Sequence, residues 1–224
     1  ADVTDLKHLQ SAQKDQSFSF IEGKGLYLSK GKFACSVCGG VYDGCEHSQL
    51  MEWTAVTDDL SVINQGGNYY LTKDITLTKQ LNVAKDAKIT LDLNGYTVSS
   101  SVRVLGLNNA SQLIITDTVG TGRIKSTATA KDNGMVLNIN NAGAVVTMYA
   151  GTLDGSEITN ANNGAAVNVT GTFTLYGGTI LGGQAVNGGA LRIAGNGVME
   201  MYGGLIYGGT ASGLGDNIYL ASAK

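Results

Sequence analysis

The sequence predicts an all-β chain that coils as a right-handed parallel β-helix, a solenoid, behind a small N-terminal cap. Three observations support this fold class. Similar segments recur about every 26 residues, apolar and polar side chains alternate within each segment, and glycine is abundant while proline is absent. A fixed repeat of this length is typical of a solenoid, and alternation with a period of two is typical of a strand with one buried face.

The composition excludes several other classes. Apolar residues make up 43% of the chain and recur in order, so the chain is not disordered. The 32 glycines disfavour a helical bundle, because each would cost about 1 kcal/mol in a helix interior. The net charge of −3, with scattered lysines and arginines, gives no basic stripe for a nucleic acid. No apolar run approaches the roughly 20 residues that a bilayer span needs, so no membrane span is expected.

One column of similar segments defines the repeat. Its members superpose without a gap: LDLNGYTVSS from Leu91, VTMYAGTLDGS from Val146, FTLYGGTILGG from Phe173 and MEMYGGLIYGG from Met199. The apolar residues that close these segments, with GTGRIKS supplying one more, lie at spacings of 26, 29, 27 and 26: Val98, Ile124, Leu153, Ile180 and Ile206. With the weaker match from Tyr70 to Val83, five or six rungs are expected.

A second column gives each rung at least two strands. Its members each come after a glycine: MVLNIN from Met135, AAVNVT from Ala165, ALRIAG from Ala190 and NIYLAS from Asn217. In a sandwich, successive strands would be hairpin partners with no reason to look alike, whereas parallel stacking places equivalent residues about 4.8 Å apart. Two inward rows are expected, Met148-Leu175-Met201 and Val146-Phe173-Met199. Glycine pairs such as Gly203-Gly204 are expected at the corners, where only glycine takes a positive φ cheaply.

The organisation changes near residue 55, before which the repeat is absent. This predicts an N-terminal cap over residues 1–55 and a parallel β-helix over residues 56–224. The last residues, GDNIYLASAK, begin another rung and stop. The chain is therefore expected to be part of a longer multidomain protein, with cover by a neighbouring domain or protomer as the alternative.

Two short segments near the cap have helical patterns. Val3, Leu6 and Leu9 recur with roughly helical spacing. Thr57-Asp58-Asp59-Leu60 is typical of a helix N-cap with acidic first-turn residues, and Gly66-Gly67 is typical of a stop. The second segment predicts a helical turn laid over the first rung.

The cap also contains a cluster of metal-binding residue types. Cys35 and Cys38 form a C-x2-C-G motif, and Cys45 and His47 follow within ten residues. Three thiolates and one imidazole make a complete Cys3His set with no open position, which is the composition of a structural zinc site. A Cys35–Cys38 or Cys38–Cys45 disulfide with one free thiol is the alternative.

The order of motifs resembles a known family of folds. C-x2-C-G-G, Glu52-Trp53-Thr54-Ala55, GNYYLT from Gly67, LDLNGYTV from Leu91 and the MYGG-x-I rungs resemble the pectate-lyase-like β-helix regions of large secreted or wall-attached proteins from Gram-positive gut bacteria. The resemblance covers nearly the whole chain after about Ala34. It implies an extracellular or bacterial cell-surface location, an adhesin-like role, and a host protein (immunoglobulin or mucin) or a polysaccharide as the partner.

The same fold hosts polysaccharide lyases and glycoside hydrolases, so catalysis is the alternative function. Such enzymes need carboxylates a few ångströms apart, or an acidic Ca²⁺ cluster beside a basic residue. The best candidates are Asp117, Arg123 and Lys125, joined by Asp154 and Glu157 one rung on. No histidine follows His47 and the Gly-His-Gly motif of polygalacturonases is missing, so a non-catalytic binding module is the preferred prediction.

Outward tyrosines are the candidate ligand-binding residues. Tyr149, Tyr176 and Tyr202 are equivalent in successive rungs, with Asn94 at the same place lower down, and Tyr207 follows in the next strand. Such a row predicts a flat stacking surface for a sugar or an interface for a protein. Stabilisation of the solenoid alone is the alternative, and the paired asparagines Asn138 and Asn168 are expected to form a structural ladder.

Overall fold

The computed structural model describes residues 16–21, 25–30, 33–35 and 50–221, and there the chain forms an all-β solenoid of parallel strands. Each rung is one circuit of the chain through the same sheets in the same order. Two of these sheets contain six strands each, which gives about six rungs. The predicted parallel β-solenoid of five or six rungs is confirmed.

Sheet 1 is the longest sheet, with eight strands. Its strands in chain order are β3 (Phe33–Cys35), β4 (Leu50–Val56), β5 (Gly67–Leu71), β8 (Lys88–Asp92), β11 (Gln112–Thr116), β14 (Val145–Met148), β18 (Thr172–Leu175) and β22 (Val198–Met201). Parallel pairing begins between β4 and β5, so the expected boundary at residue 55 falls inside a strand of this sheet. β3 pairs antiparallel with β4, and β1 (Gln16–Ile21) and β2 (Gly25–Lys30) form a separate antiparallel pair.

Three further sheets complete the coil, two with six strands each and one with three. Sheet 2 follows sheet 1 along the chain and contains β6 (Ile75–Leu77), β9 (Thr97–Ser100), β12 (Arg123–Ser126), β15 (Thr152–Asp154), β19 (Thr179–Leu181) and β23 (Leu205–Tyr207). Sheet 3 occurs only in the last three rungs and contains β16 (Ala161–Asn163), β20 (Gln184–Asn187) and β24 (Thr210–Ala211). Sheet 4 contains β7 (Leu81–Asn82), β10 (Leu105–Leu107), β13 (Leu137–Ile139), β17 (Val167–Val169), β21 (Leu191–Ile193) and β25 (Ile218–Leu220).

The core lies inside the coil, where alternate residues of every sheet meet. The register stacks Val146 on Phe173 and Phe173 on Met199, as the repeat predicts. Ile124, Leu153 and Ile180 form an inward row of sheet 2 and are fully buried. Burial of such side chains stabilises the fold by about 1.5–3 kcal/mol each.

The glycine pairs at the corners serve two different purposes. Gly204 has a φ of +92°, the left-handed conformation that L residues rarely adopt. Gly203 has no positive φ, but a Cβ there would lie 2.4 Å from the carbonyl oxygen of Tyr176 on the rung below. One glycine of the pair therefore permits the bend and the other permits close stacking of the corners, whereas the sequence predicted positive φ for both.

The gapless superposition of the first column is wrong for its lowest member. Strand pairing aligns Leu91 with Ile115 and Ile115 with Met148, so Leu91, and not Leu93, is level with Met148. Val98 still aligns with Ile124. The corner from Leu91 to Val98 is therefore two residues longer than the corner from Met148 to Leu153, and Asn94 lies in the longer one with a φ of +51°.

A short 3₁₀ helix over Leu60–Gln65 covers the first rung. Asp59 is its N-cap and accepts a hydrogen bond of 2.9 Å from the backbone N–H of Ser61, and Gly66 ends it. Hydrogen bonds from Ser61 lower the pKa of the Asp59 carboxyl. Leu60 and Ile63 are buried in the core. The predicted helical turn is confirmed, but the expected acidic first-turn residues are wrong, because Asp59 is the N-cap and Asp58 precedes it. The pattern at Val3, Leu6 and Leu9 lies outside the described residues.

Asparagine ladders join the rungs at sheets 3 and 4. The Asn168 side-chain amide donates to Asn138 Oδ1 over 2.8 Å, and Arg192 Nη1 donates to Asn168 Oδ1 over 3.1 Å. A second ladder joins Asn163 to Asn133 and Asn187 to Asn163, over 2.9 and 3.1 Å. The predicted Asn138–Asn168 pair is confirmed.

The last rung leaves inward side chains uncovered. Met201, Ile218 and Leu220 occupy the inward rows, yet they are 49%, 42% and 67% exposed. Among the described residues, no strand pairs with the outer edges of β22, β23 and β25.

Candidate binding surface

Three tyrosines form a ladder at the corner between sheets 1 and 2. Tyr149, Tyr176 and Tyr202 each follow the last residue of a sheet 1 strand, so the parallel register brings them level. Ring centroids are 5.1 Å apart for Tyr149–Tyr176 and 5.0 Å apart for Tyr176–Tyr202, with interplanar angles of 6° and 13°. The ladder follows the solenoid axis with nearly the spacing of the strands.

The ring orientation determines what the ladder can contact. Both faces of the Tyr176 ring lie against neighbouring tyrosines, so the ring presents its edge and hydroxyl to solvent. A sugar that stacks on an aromatic residue needs a ring face, and the ring faces between neighbouring tyrosines of the ladder are covered. The row is therefore a ladder of ring edges, and the expected flat stacking surface is not formed.

Tyr207 lies on sheet 2 and not in the ladder. It pairs with Leu181 of the rung below, and Leu205 points outward from the same strand. Tyr176 and Tyr202 are 47% and 67% exposed, and Leu205 and Tyr207 are 53% and 45% exposed. We call these four residues the tyrosine surface. It occupies one corner and the adjoining sheet of the last two rungs, and exposed apolar area of this kind marks interaction sites.

Glu200 supplies a negative charge beside the tyrosine surface. It points outward from β22, two residues before Tyr202. Its charge, together with a hydrogen bond, raises the pKa of the Tyr202 hydroxyl above the usual value. Tyr202 therefore stays a neutral hydrogen-bond donor throughout the physiological pH range.

Asn94 is not the lower continuation of the ladder. Asp92 pairs with Thr116, and Thr116 is the residue that lies level with Tyr149. Asn94 instead donates from its side-chain amide to the Leu71 carbonyl oxygen over 2.8 Å. This hydrogen bond joins the corner that contains Asn94 to the end of β5 on the rung below, and the Asn94 side chain is buried there.

Asp117 is occupied by backbone hydrogen bonds. Its two carboxylate oxygens accept from the N–H groups of Gly95, at 2.7 Å, and Gly122, at 2.6 Å. The residue is buried. Asp117 therefore ties two corners together, and the structure does not pair it with Arg123 or Lys125.

The other four candidate catalytic residues form two ion pairs. Arg123 Nη1 lies 3.0 Å from Asp154 Oδ2, and Lys125 Nζ lies 2.6 Å from Glu157 Oε1. Asp154 also accepts from the Ser156 N–H and hydroxyl, at 3.1 and 2.7 Å. Burial of Asp154 opposes ionisation, but the hydrogen bonds from Ser156 and Arg123 outweigh it and lower the pKa of this carboxyl. A lowered pKa suits a structural anion and not a general acid.

A groove on sheet 3 was not anticipated from the sequence. It has a volume of about 300 Å³ and crosses three rungs, lined by Thr159, Asn160, Ala161, Gln184, Ala185, Val186, Thr210, Ala211 and Ser212. The pairing of Ala161 with Ala185 and of Ala185 with Ala211 forms its floor. A third column of segments beginning after Gly183 and Gly209 would have revealed it, but its members, QAVN and TAS, share little beyond one alanine.

The predicted zinc ligands are largely outside the described residues. Cys35 is the last residue of β3, and its backbone pairs with Leu50 of β4. Cys38, Cys45 and His47 lie outside the part of the chain that the structure describes. Within that part, histidine, cysteine, aspartate and glutamate form no cluster of three that could hold a metal ion.

Comparison of the chain with protein-family models, with curated protein sequences and with solved structures gives no match. Among the described residues, no helix combines the length and apolar character needed to cross a bilayer. The described residues thus form a parallel β-solenoid. An aromatic ladder lies at its corner between sheets 1 and 2, and a polar groove lies on sheet 3.

Proposed function

We propose that the chain is a non-catalytic binding module of a bacterial surface protein, and that it recognises a protein partner through the tyrosine surface. The observation that carries this proposal is the exposed, mutually stacked ladder at Tyr176 and Tyr202, with Leu205 and Tyr207 beside it.

The chemistry of the tyrosine surface favours a protein partner over a sugar. Stacking holds each ladder ring in place before binding, so little side-chain entropy remains to be lost. Ring edges and hydroxyls suit the mixed apolar and polar surface of a protein, and tyrosine is enriched in such interfaces. A sugar would require the ring faces, most of which are covered within the ladder.

The hydrogen bonds of the acidic residues weigh against a lyase or hydrolase. Asp117 and Asp154 are buried and occupied by two or more donors each. Glu157 is exposed but paired with Lys125. A hydrolase needs two carboxylates that face the same open cleft, and the described residues that line the sheet 3 groove include no carboxylate.

Binding to defined host proteins tests the proposal. Purified secretory immunoglobulin and purified mucin are passed over the immobilised protein, and the dissociation constants are measured. We expect wild type to bind at least one of these two probes, and the Tyr176→Ser/Tyr202→Ser double variant to bind it at least about tenfold more weakly, since interface tyrosines are frequent hot spots.

Tyr219→Ser is the matched control, because Tyr219 lies in the same last rung but on sheet 4. It should bind as wild type does, and circular dichroism should show all three proteins folded. Equal loss in the control and the double variant would place the interface elsewhere. Release of reducing or unsaturated ends from a polysaccharide, abolished by Asp117→Ala and by Arg123→Ala, would establish the enzyme instead.

We also propose that Cys35, Cys38, Cys45 and His47 bind one structural zinc ion. The antiparallel pairing of Cys35 with Leu50 supports this, because it brings the two ends of the 36–49 segment side by side. Elemental analysis should give one zinc per chain. After chelation and denaturation without reductant, three free thiols should react; one free thiol would indicate the disulfide alternative.

The setting that we propose follows the resemblance. The module belongs to an extracellular or wall-attached multidomain protein of a Gram-positive gut bacterium, and its coil is right-handed, the hand of nearly all parallel crossovers. Detection of the full-length protein on intact cells with an antibody to this module would test the location.

A further inference from the structure

The polar side chains on sheets 3 and 4 fall into two groups. Those of the first group, which includes Asn163, Asn168 and Asn187, bond to one another along the ladders. Those of the second group line the sheet 3 groove: Thr159, Asn160, Gln184, Thr210 and Ser212. Within the part of the chain that the structure describes, no side chain of this second group makes a hydrogen bond.

From this difference we infer that the sheet 3 groove is a second binding site, and that its ligand is an uncharged glycan chain. Two carboxamides and three hydroxyls supply both donors and acceptors across three rungs. Adjacent sugar hydroxyls are also both donors and acceptors, so they match this lining. The site is separate from the tyrosine surface and does not depend on it.

Charge determines which glycans fit. None of the described residues that line the groove is charged. Asp216 is close by, because its carboxylate accepts a hydrogen bond of 3.0 Å from the backbone N–H of Ala211 in the groove floor. A polyuronate would meet this carboxylate with no lysine, arginine or cation in the lining to balance it, so a neutral chain is selected.

The shape of the groove favours a flat, extended ligand. Its floor is the column Ala161, Ala185 and Ala211, which leaves no deep pocket for an apolar anchor. Gln184 and Thr210 stand level on neighbouring strands along one side of this floor. Val186 gives a small apolar contact on the other side. A peptide would lack a pocket for its side chains here, whereas a sugar ring needs only a flat floor and lateral hydrogen bonds.

Affinity electrophoresis tests the inference. The protein migrates through native gels that contain xylan, galactomannan, mixed-linkage β-glucan, neutral galactan or, separately, polygalacturonate. We expect retardation by at least one of the four neutral polysaccharides and none by polygalacturonate. Gln184→Ala/Thr210→Ala should weaken the retarding interaction by about thirtyfold, since each of the two lost hydrogen bonds contributes about 1 kcal/mol.

Two further variants make the outcome specific. Gln112→Ala removes an exposed glutamine from sheet 1 and should be retarded as wild type is. Tyr176→Ser/Tyr202→Ser should also be retarded normally, so failure of the protein-binding proposal leaves this result unchanged. Wild type that passes all four neutral gels freely, or retardation that Gln184→Ala/Thr210→Ala leaves intact, overturns the inference.

Discussion

The rungs before residue 155 contain three buried carboxylates, Asp92, Asp117 and Asp154, whereas the described rungs after it contain none. In these lower rungs the three carboxylates accept hydrogen bonds from backbone N–H groups and hydroxyls at the corners. Arg103 bonds to Gln80, to Asp132 and to the Asn133 carbonyl oxygen. In the upper rungs the corners are glycine pairs, and the internal polar contacts are mainly those of the asparagine ladders. The tyrosine surface and the side chains that line the sheet 3 groove face outward there. The lower part thus uses buried carboxylates for stability, and the upper part presents two surfaces to a ligand.

The largest effect is expected in the lower part, from Asp117→Ala. The substitution removes the acceptor of two backbone N–H groups and leaves these buried donors unsatisfied, which should cost about 3 kcal/mol of unfolding free energy. Chemical denaturation measures the loss. Asp216→Ala in the upper part is the control, because Asp216 is exposed and should cost less than about 1 kcal/mol. Equal losses would remove the distinction between the two parts.

A smaller effect is expected at an upper corner. Gly204→Ala forces a side chain into a φ of +92° and places its Cβ 2.8 Å from the Gly178 carbonyl oxygen, so a loss of about 1–2 kcal/mol is expected. Gly195→Ala is the matched control, since its Cβ would meet nothing within 4 Å. Thermal denaturation should separate the two variants, and indistinguishable melting temperatures would show that the corner can relax.

A smaller difference in unfolding free energy is expected between substitutions in the two groups of polar side chains, those of the ladders and those of the groove. Asn168→Ala interrupts the ladder between Asn138 and Arg192 and should cost about 1 kcal/mol, because buried amide partners lose a hydrogen bond. Gln184→Ala, in the groove, should change stability by no more than about 0.5 kcal/mol. Denaturation midpoints of the two variants provide the comparison, and a costly Gln184→Ala would mean that the groove residue is structural.

The smallest effect concerns the charge beside the ladder. Glu200→Gln removes the anion that opposes formation of the Tyr202 phenolate, so the pKa of Tyr202 should fall toward its usual value. Ultraviolet titration of the phenolate measures this shift, and Tyr202→Phe identifies which titration step belongs to this residue. An unchanged titration curve would show that Glu200 is too well solvated to act on the ring.

The sequence predicts the stacking well where apolar residues recur at nearly equal intervals. Val146, Phe173 and Met199 could be aligned from the alternation alone, because a one-residue slip would turn the core outward. The longer bend at Asn94 was missed, since an extra pair of residues preserves the alternation on both sides of it. For the same reason, alternation does not indicate the length of a corner.

The candidate sites were harder to predict than the fold. The repeat predicts that Tyr149, Tyr176 and Tyr202 are equivalent, but it does not predict the side-chain rotamers that stack the rings on one another. The sheet 3 groove was missed because its strands have two to four residues, too few for a periodic pattern. Asp117 looked available for chemistry in the sequence, because its two backbone donors, Gly95 and Gly122, contribute no side chain to any motif.

Because each rung contacts only its neighbours, hydrogen bonds between rungs determine how the solenoid resists separation along its axis. Asp117 accepts from Gly95 on the rung below, and Asn168 bonds both to Asn138 and to Arg192 on the adjacent rungs. A ligand bound along the three rungs of the sheet 3 groove would join those rungs in the same way. Backbone amides of the strands beneath it should then exchange with deuterium more slowly than in the free protein.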